Sequence, residues 1–292
     1  MPAETSFSHS KPCPVCGSSG VVRLFELESP YIARLFYQIL RCRACGHRYA
    51  DGPVTADVLS SVYGAAFHAS SQQAAAGPSS AIVLNAQRRA EWLRDTGLQG
   101  SLLDVGAGRG YFVKAAHPYF IASGIDYSER AAEYGHEIGV NLESGDFANA
   151  PYENGSFDVL TFWDVLASMM DVHATCGKAA QLLRPKGHAV FTVPMGDSLA
   201  CRLSGKRWPL WIPPVNLHYF SEESLATLFR QSGFEIVEMG FQAKRVSLNF
   251  LLVKLARSLG ARRFEAKLAG LPLNWAVPIN LRDIKTVLVR KV

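Results

Sequence analysis

From about residue 81 onward, short apolar runs alternate along the chain with amphipathic segments. The runs have the length of buried strands, and the segments between them repeat apolar positions at the three- to four-residue spacing of helices. Strands and helices that alternate in this way build a doubly wound, mainly parallel α/β sheet. The predicted strands are 101–105, 120–125, 141–144, 157–162, 188–193, 234–239 and 286–290. The predicted helices are 81–96, 111–116, 129–138, 175–183 and 222–232.

The first 50 residues follow a different pattern, in which four of the six cysteines form two Cys-x-x-Cys pairs. The pairs are Cys13 with Cys16 in KPCPVCG, and Cys42 with Cys45 in LRCRACGH. A glycine after each pair lets backbone N–H groups turn toward the sulfurs. Two such pairs predict one tetrahedral site for a structural Zn2+, and the apolar residues between them predict the strands of a small zinc ribbon. Redox or disulfide chemistry is disfavoured for two matched pairs in a cytoplasmic chain.

A stretch rich in Ala, Ser and Gly separates the two patterns. It includes GAAFHASSQQAAAGPSS, a composition typical of a linker with some helical content. We therefore expect a zinc ribbon over residues 1–50, a linker over 51–80 and the α/β domain over 81–292.

The composition excludes an intrinsically disordered chain, because 48% of the 292 residues are hydrophobic and 11% are aromatic. No apolar stretch approaches the ~18 to 20 residues that span a bilayer, and the first residues lack the layout of a secretory signal. We therefore expect a cytoplasmic protein.

The net charge of +5 is distributed unevenly along the chain. Residues 11–50 carry six Lys and Arg against two Asp and Glu, residues 51–240 carry 13 against 20, and residues 241–292 carry 11 against two. An acidic centre between two basic ends argues against a central domain built around nucleic acid.

A glycine-rich turn follows the first predicted strand and precedes a predicted helix. Its glycines stand at positions 106, 108 and 110 of LLDVGAGRG, and Tyr111 occupies the place of the last small residue of a dinucleotide-binding loop. Because that residue must leave room for a pyrophosphate, the spacing disfavours a dinucleotide enzyme.

LLDVGAGRG, over residues 102–110, resembles the first motif of the class I S-adenosylmethionine-dependent methyltransferases. The similarity extends over about residues 80–240, where SGIDYS, SGDF and FDVLTFWDVL follow in the order of that family. The resemblance implies a Rossmann-like methyltransferase sheet whose last strand is antiparallel, with S-adenosyl-L-methionine as the cofactor. The cofactor-binding residues that it implies are Asp104, Gly106, Gly108, Gly110, Asp126, Tyr127, Asp146, Phe147 and Trp163.

Two of these residues have specific expected roles. Asp126 stands at the tip of the second strand, where a carboxylate can accept hydrogen bonds from both ribose hydroxyls. Asp146 fits the family's acceptor for the adenine amino group, with Phe147 against the ring.

The ribbon and residues 191–239 narrow the resemblance to bacterial methyltransferases that carry an N-terminal zinc ribbon. Many members of that group act on sugars or other biosynthetic small molecules. We therefore expect methyl transfer to oxygen or carbon of a small molecule, with sugars and lipid-linked molecules as candidate acceptors. Methylation of an alcohol needs a base, and His218 in NLHYF is the candidate, with His173 and Tyr219 in reserve. Asp164, at the end of the fourth strand, is the second candidate catalytic residue and would orient the substrate.

The ending PINLRDIKTVLVRKV resembles the family's last strand, so residues 243–280 are an insertion. Leucines recur in it at helical spacing between basic residues, which predicts a helical cap over the substrate cleft. A basic helix over residues 246–263 would alternatively rest on a membrane surface or meet a lipid-linked or phosphorylated substrate. The leucines are Leu248, Leu251, Leu252, Leu255 and Leu259, and the cations are Lys254, Arg257, Arg262 and Arg263.

Two other functions stay open. The first is a ribosomal RNA methyltransferase whose ribbon grips RNA through Arg41, Arg43, Arg48 and Tyr49, although the acidic centre of the chain opposes RNA. The second is a protein that binds S-adenosylmethionine without catalysing transfer. The sequence predicts no oligomeric state.

Overall fold

A computed structural model of the chain describes residues 11–63, 80–249, 251–253, 267–268 and 275–292. Their strands form a seven-stranded sheet, a four-stranded sheet and a two-stranded sheet. The strands are β1 (Val21–Glu28), β2 (Phe36–Cys42), β3 (Arg48–Asp51), β4 (Ser101–Val105), β5 (Ile121–Asp126), β6 (Leu142–Ser144), β7 (Phe157–Phe162), β8 (Leu183–Pro194), β9 (His218–Tyr219), β10 (Phe234–Gly240), β11 (Lys244–Ser247), β12 (Ala276–Ile279) and β13 (Ile284–Lys291). The helices are α1 (Ala56–Tyr63), α2 (Ala81–Asp95), α3 (Tyr111–Ala116), α4 (Ala131–Ile138), α5 (Val172–Leu182), α6 (Leu199–Ser204) and α7 (Glu222–Gln231).

The seven-stranded sheet has the order β10-β13-β8-β7-β4-β5-β6. Strands β4 to β8 pair in parallel, whereas β13 is antiparallel to both of its neighbours. The predicted doubly wound sheet with an antiparallel last strand is therefore confirmed. From β4 the chain first fills one side of the sheet and then crosses to the other, which places the switch in strand order between β4 and β7. Ligands of open α/β sheets bind outside the carboxyl ends of the strands at such a switch.

Apolar side chains cover both faces of this sheet, as a mainly parallel sheet requires. On one face Phe191 is fully buried, stacked on Phe162 with ring centroids 4.6 Å apart and tilted against Phe229 at 5.0 Å. On the other face α2 and α3 pack through Leu93 and Phe112. The strand ends are thus held rigidly where the candidate site lies.

Strand β8 is longer than the predicted strand 188–193, because it starts at Leu183. Lys186 has a φ of +63°, and the pairing of β8 with β7 shifts register between Leu183 and His188. Residues 184–187, which have the composition of a turn, therefore form a bulge within the strand.

The four-stranded sheet joins the N-terminal cysteine-rich segment to the α/β domain. Its order is β1-β2-β3-β9, so β9 from the second half of the chain pairs antiparallel with β3. Ile39 of β2 also shares a buried cluster with Cys201, Trp208, Trp211 and Tyr219. The N-terminal module is consequently packed against the α/β domain along a continuous sheet and core.

The predicted linker and insertion are described only in part. Residues 56–63 of the linker form α1, and residues 64–79 lie outside the described residues. In the predicted helical insertion, β11 and β12 form an antiparallel pair of strands, and residues 248–249 and 251–253 are helical. Leu255, Leu259 and the cations Lys254, Arg257, Arg262 and Arg263 lie outside the described residues, so the helical cap stays a prediction.

In the described part of the chain, no helix has the length and apolar character needed to cross a membrane.

Candidate active site

The glycine loop follows β4 and uses each of its glycines differently. Gly106, Gly108 and Gly110 have φ values of +71°, +57° and +76°, which favour glycine. A Cβ on Gly106 would lie 2.5 Å from Val165, and a Cβ on Gly110 would lie 2.9 Å from Leu142. A Cβ on Gly108 would meet nothing within 4 Å. Packing therefore requires the outer two glycines, whereas Gly108 borders open space into which a ligand can come close.

Asp126 connects the end of β5 to this loop. Its Oδ2 accepts a hydrogen bond of 2.7 Å from the Gly108 N–H, and its Oδ1 accepts one of 2.9 Å from the Ser128 N–H. A carboxylate oxygen accepts two hydrogen bonds, so both oxygens keep acceptor capacity. The arrangement fits the predicted ribose contact.

Asp104 lies beneath the loop rather than at its open side. It is 3% exposed, and its Oδ1 accepts a hydrogen bond of 2.6 Å from the Thr161 hydroxyl. Burial raises the pKa of the Asp104 carboxyl to about 7, although the Thr161 hydroxyl acts in the opposite direction. The structure thus gives Asp104 a supporting position, and its predicted contact with the cofactor stays a prediction.

Asp146, Phe147 and Tyr127 follow the ends of β6 and β5. Asp146 is exposed and accepts hydrogen bonds from the Ala148 N–H at 3.1 Å and the Asn149 amide at 2.8 Å. Phe147 is buried with its ring edge-on to Phe162, whereas Tyr127 is 65% exposed. All three residues lie at the same sheet edge as Asp126. Asp146 and Tyr127 are exposed there, whereas Phe147 is buried.

Trp163 follows β7 and is 7% exposed. Its ring contacts Phe112 edge-on at 5.2 Å, and the Arg89 guanidinium lies 4.7 Å from its centroid. Its indole N–H has no hydrogen-bond partner in the described structure. A buried donor without a partner is rare, and here it lies next to the loop and to Asp164.

Asp164 combines a left-handed backbone conformation with ion pairs to two cations. Its φ is +64°, which is unfavourable for a residue with a side chain, and such strain concentrates at functional sites. Arg89 and Lys244 each form an ion pair with it at 2.6 Å. The Thr192 hydroxyl accepts from its N–H at 2.6 Å and donates to its Oδ1 at 3.1 Å. Burial acts to raise the pKa of the Asp164 carboxyl, but Lys244 and Arg89 outweigh it and lower the pKa below its ordinary value.

A cavity of about 270 Å³ opens beside Asp164, and we call it the α2 cleft. One wall comes from α2, a second from the ends of β8 and β13, and a third from the segment before β11. The α2 cleft could not be predicted from the sequence, because its residues lie far apart in the chain and the sequence of α2 shows only an amphipathic pattern. The lining residues are Asn85, Arg88, Arg89, Trp92, Thr192, Phe241, Gln242, Ala243, Lys244, Ile284 and Thr286.

The structure does not bring His218 together with Trp163 and Asp164. His218 lies in β9 and is 4% exposed. Its Nδ1 is 3.1 Å from Nε2 of His47, and its Nε2 is 2.9 Å from the Met169 carbonyl oxygen. Burial lowers the pKa of the His218 imidazole to about 4. Its role as the base stays a prediction, although both of its ring nitrogens have protein partners.

The two reserve candidates for the base, His173 and Tyr219, also form hydrogen bonds within the protein. His173 Nε2 lies 2.7 Å from the Val15 carbonyl oxygen, and the Tyr219 hydroxyl donates to the Asn216 carbonyl oxygen at 2.8 Å. Tyr219 is fully buried, and burial raises its pKa.

The four paired cysteines form one cluster. Their sulfurs all lie within 4.8 Å of one another, with 3.7 Å between Cys13 and Cys45 and 3.5 Å between Cys16 and Cys42. The hydrogen bond with Cys45 lowers the pKa of the Cys13 thiol to about 5. Four thiols in this arrangement fit the ligand set of a tetrahedral zinc site. The cluster touches the α/β domain, because the Ser221 hydroxyl donates to the Cys45 carbonyl oxygen at 2.6 Å.

Two of the four predicted RNA contacts are used inside the protein. Tyr49 is 6% exposed, and the Arg48 guanidinium donates to the Gly196 carbonyl oxygen and to Cys201 Sγ. The half-buried Arg48 thus joins the ribbon to the α/β domain, and the Tyr49 ring stacks on His47 within the ribbon, so neither side chain is fully exposed as an RNA-gripping surface would require.

Comparisons with known proteins agree with the fold. A family model described as a methyltransferase domain matches residues 80–239. A ubiquinone biosynthesis O-methyltransferase of Aromatoleum aromaticum is 28% identical over 172 residues, which cover 52% of this chain and 71% of the relative. A demethylmenaquinone methyltransferase of Staphylococcus aureus is 25% identical over 162 residues, which cover 45% of this chain and 66% of the relative.

Solved structures show the same fold at low sequence identity. An S-adenosylmethionine-dependent methyltransferase from Archaeoglobus fulgidus is 16% identical with a TM-score of 0.50, covering 73% of this chain and 95% of that one. A protein described as a putative methyltransferase from Bacillus halodurans is 14% identical with a TM-score of 0.50, covering 69% of this chain and 97% of that one.

The position of Asp104 predicts a specific dependence of stability on pH. Between its unfolded pKa of 3.8 and its folded pKa of about 7, the folded protein keeps a proton that the unfolded chain releases. The contribution of Asp104 to stability is therefore full below this window and is lost as the pH rises through it. Asp104→Asn keeps the acceptor for Thr161 and removes the titration. We expect the free energy of unfolding of Asp104→Asn, compared with that of the wild type, to increase by on the order of 2 to 4 kcal/mol as the pH rises from about 4 to about 8.

Urea titrations across this range measure the difference. Asp95→Asn is the matched control, because the Asp95 side chain is 64% exposed at the end of α2. A difference between wild type and Asp104→Asn that does not change with pH would contradict the assigned environment.

Proposed function

Because the chain belongs to the methyltransferase domain family, whose model matches residues 80–239, we propose that it transfers a methyl group to oxygen or carbon of a small biosynthetic molecule. It is an S-adenosylmethionine-dependent methyltransferase with the class I fold. The observation that carries the proposal is the α2 cleft, which has the size of a small molecule and adjoins Trp163 and Asp164.

The relatives support a quinone-type or related aromatic acceptor. Two of them are named for ubiquinone biosynthesis and for demethylmenaquinone. Trp92 and Phe241 line the α2 cleft and offer aromatic walls to a ring. A sugar or lipid-linked acceptor is the competing proposal, and contact with a membrane through residues 246–263 belongs to it.

The residues around the glycine loop fit the cofactor. S-adenosylmethionine supplies an electrophilic methyl group on a sulfonium. Gly108 leaves space for it, Asp126 has free acceptor capacity for the ribose hydroxyls, and Asp146 is exposed for the adenine. The unpartnered indole N–H of Trp163 is a further polar group beside this space. We propose these residues, with Gly106, Gly110, Tyr127 and Phe147 around them, as the binding site.

Asp164 would orient the reactants rather than accept a proton. Its ion pairs with Arg89 and Lys244 hold it ionised and make it a weak base. They also fix these two cations at the boundary between the loop and the cleft. We therefore assign Asp164 the role of aligning the acceptor beside the methyl group.

We propose His218 as a positioning residue. It holds β9 to the ribbon through His47 and to the loop after β7 through the Met169 carbonyl oxygen. The segment between Trp208 and His218 is thereby fixed at both ends, since the Trp208 indole donates to Asp283 at 2.9 Å.

We propose that Cys13, Cys16, Cys42 and Cys45 bind one structural Zn2+. The ion would balance the charge of the thiolates and hold the two loops of the ribbon together. Because β3 pairs with β9, it would also support the α/β domain.

The cofactor site predicts that Asp126→Asn binds S-adenosylhomocysteine about tenfold or more weakly, because it loses the charge that strengthens the ribose hydrogen bonds. Isothermal titration calorimetry measures the affinity, and NADH is the negative titrant. Glu129→Gln is the matched control, since Glu129 is exposed in the same turn. Unchanged affinity in Asp126→Asn would refute the ribose role. Binding without turnover on any acceptor would favour the non-catalytic alternative.

The positioning role predicts that His218→Gln lowers the melting temperature by several degrees, because a buried hydrogen-bond pair is lost. Turnover per folded molecule should change less than about tenfold, whereas loss of a general base costs about 100-fold or more. Thermal unfolding and initial rates with S-adenosylmethionine measure both. Unchanged stability together with lost turnover would instead support His218 as the base.

The metal site predicts one Zn2+ per chain in the wild type and a substoichiometric content in Cys42→Ser, measured by elemental analysis. Cys176→Ala is the control, because Cys176 is buried in α5 away from the cluster. Full zinc content in Cys42→Ser would exclude the proposed ligand set.

A further inference from the structure

We propose that the α2 cleft recognises an anion: it takes an aromatic acceptor that bears a carboxylate or phosphate group and binds this group with Arg88 and Lys244. The proposal rests on the proposed function, because the same cleft must hold the acceptor beside Asp164.

The charge of the cleft is the first argument. Its lining holds three cations, Arg88, Arg89 and Lys244, and none of its described lining residues is acidic. The carboxylate beside it, Asp164, is already shared by Arg89 and Lys244. Arg88 is exposed on α2 and has no carboxylate partner in the described parts of the chain. Three cations against one carboxylate leave the cleft with a net positive charge that a ligand anion would balance.

The wall that carries Arg88 is formed in advance. Asn85, one turn earlier on α2, accepts a hydrogen bond of 2.7 Å from the Arg245 N–H and donates one of 2.7 Å to the Arg245 carbonyl oxygen. These two bonds fix α2 to β11, where Lys244 lies next to Arg245. Because Lys244 is also bound to Asp164, the positions of both walls are set without a ligand. A preformed site does not pay the entropy of ordering when the ligand binds.

The chemistry of the lining selects the kind of anion. A guanidinium presents its N–H groups as a planar fork that matches the two oxygens of a carboxylate or phosphate. Thr192, Thr286 and Gln242 add neutral hydrogen-bonding groups, and Trp92 and Phe241 add aromatic surface. A ligand with an aromatic ring and one anionic substituent uses all three kinds of group.

The anionic group would also set the direction of the acceptor. Arg89 lines the cleft and at the same time contacts Asp164 and the Trp163 ring. When Arg88 and Lys244 bind the anionic group, the aromatic ring that bears it extends along Arg89 toward Trp163. The reacting atom would then lie at the carboxyl end of β7, next to the glycine loop.

Matched pairs of probes test the inference. 3,4-Dihydroxybenzoate is compared with catechol, and phenyl phosphate with phenol, in the apo protein and in the protein saturated with S-adenosylhomocysteine. Calorimetry gives the affinity, and tryptophan fluorescence reports binding because Trp92 lines the cleft. We expect each anion to bind about tenfold more tightly than its neutral partner, and the preference to weaken with added salt. The pair with the larger ratio of anion affinity to neutral affinity identifies the acceptor's group as carboxylate or phosphate.

Substitutions assign the preference to the cleft. Arg88→Gln should remove most of it and leave the affinity for catechol and for S-adenosylhomocysteine unchanged. Arg94→Gln is the matched control, because Arg94 lies on the same helix with its own partner, Asp95, at 2.7 Å. It should keep the full preference.

Three results would overturn the inference: equal binding of anionic and neutral probes, an equal loss in Arg94→Gln, or a loss of S-adenosylhomocysteine affinity in Arg88→Gln. The last would assign the cations to the cofactor. Absence of S-adenosylhomocysteine binding in the wild type would instead count against the proposed function, while the apo titrations would still decide the charge preference.

Discussion

Parallel strands bring their carboxyl ends to one edge of a sheet, and the site of this protein depends on that constraint. β4, β5, β6 and β7 end at the edge that holds the glycine loop, Asp126, Asp146 and Asp164. The strand order reverses at β4, so the loops after β4 and β7 part and leave a crevice between them. The hydrogen bond from the Gly108 N–H to Asp126 then fixes the loop against the neighbouring strand. Gly106 and Asp164, which are 58 positions apart in the sequence, become parts of one site through this geometry.

The bounds of an element could be predicted from the sequence where the element's own residues determine them. β4 and β7 match their predicted bounds, because glycines or polar turns enclose short apolar runs. The glycine loop was predictable for the same reason, since backbone conformation and close packing restrict those positions to glycine. The bulge in β8 was not, because Pro185 and Gly187 have the composition of a turn and only the pairing with β7 makes them part of a strand.

Contacts between side chains that lie far apart in the sequence could not be predicted. Arg89, Asp164 and Lys244 form one ion-pair cluster, yet α2 and β11 come together only through the folded chain and the Asn85 hydrogen bonds. His218 shows the reverse case. Its place in NLHYF predicted a catalytic role, which stays a prediction; in the structure β9 pairs with β3, and His218 lies between His47 and Met169. A two-residue strand has no periodicity that a sequence could reveal.

The pKa values of two carboxyl groups, Asp104 and Asp164, bear on how the acceptor loses its proton. Asp104 is buried and its pKa is raised, whereas Asp164 is paired with two cations and its pKa is lowered. Neither suits a general base at neutral pH, because Asp104 is covered by the loop and Asp164 is committed to Arg89 and Lys244. None of the described residues that line the α2 cleft is a histidine. An acceptor with an acidic hydroxyl would need no strong base, since nearby cations favour its ionised form. The positive charge of the cleft therefore serves both the binding of an anion and the reactivity of the group to be methylated.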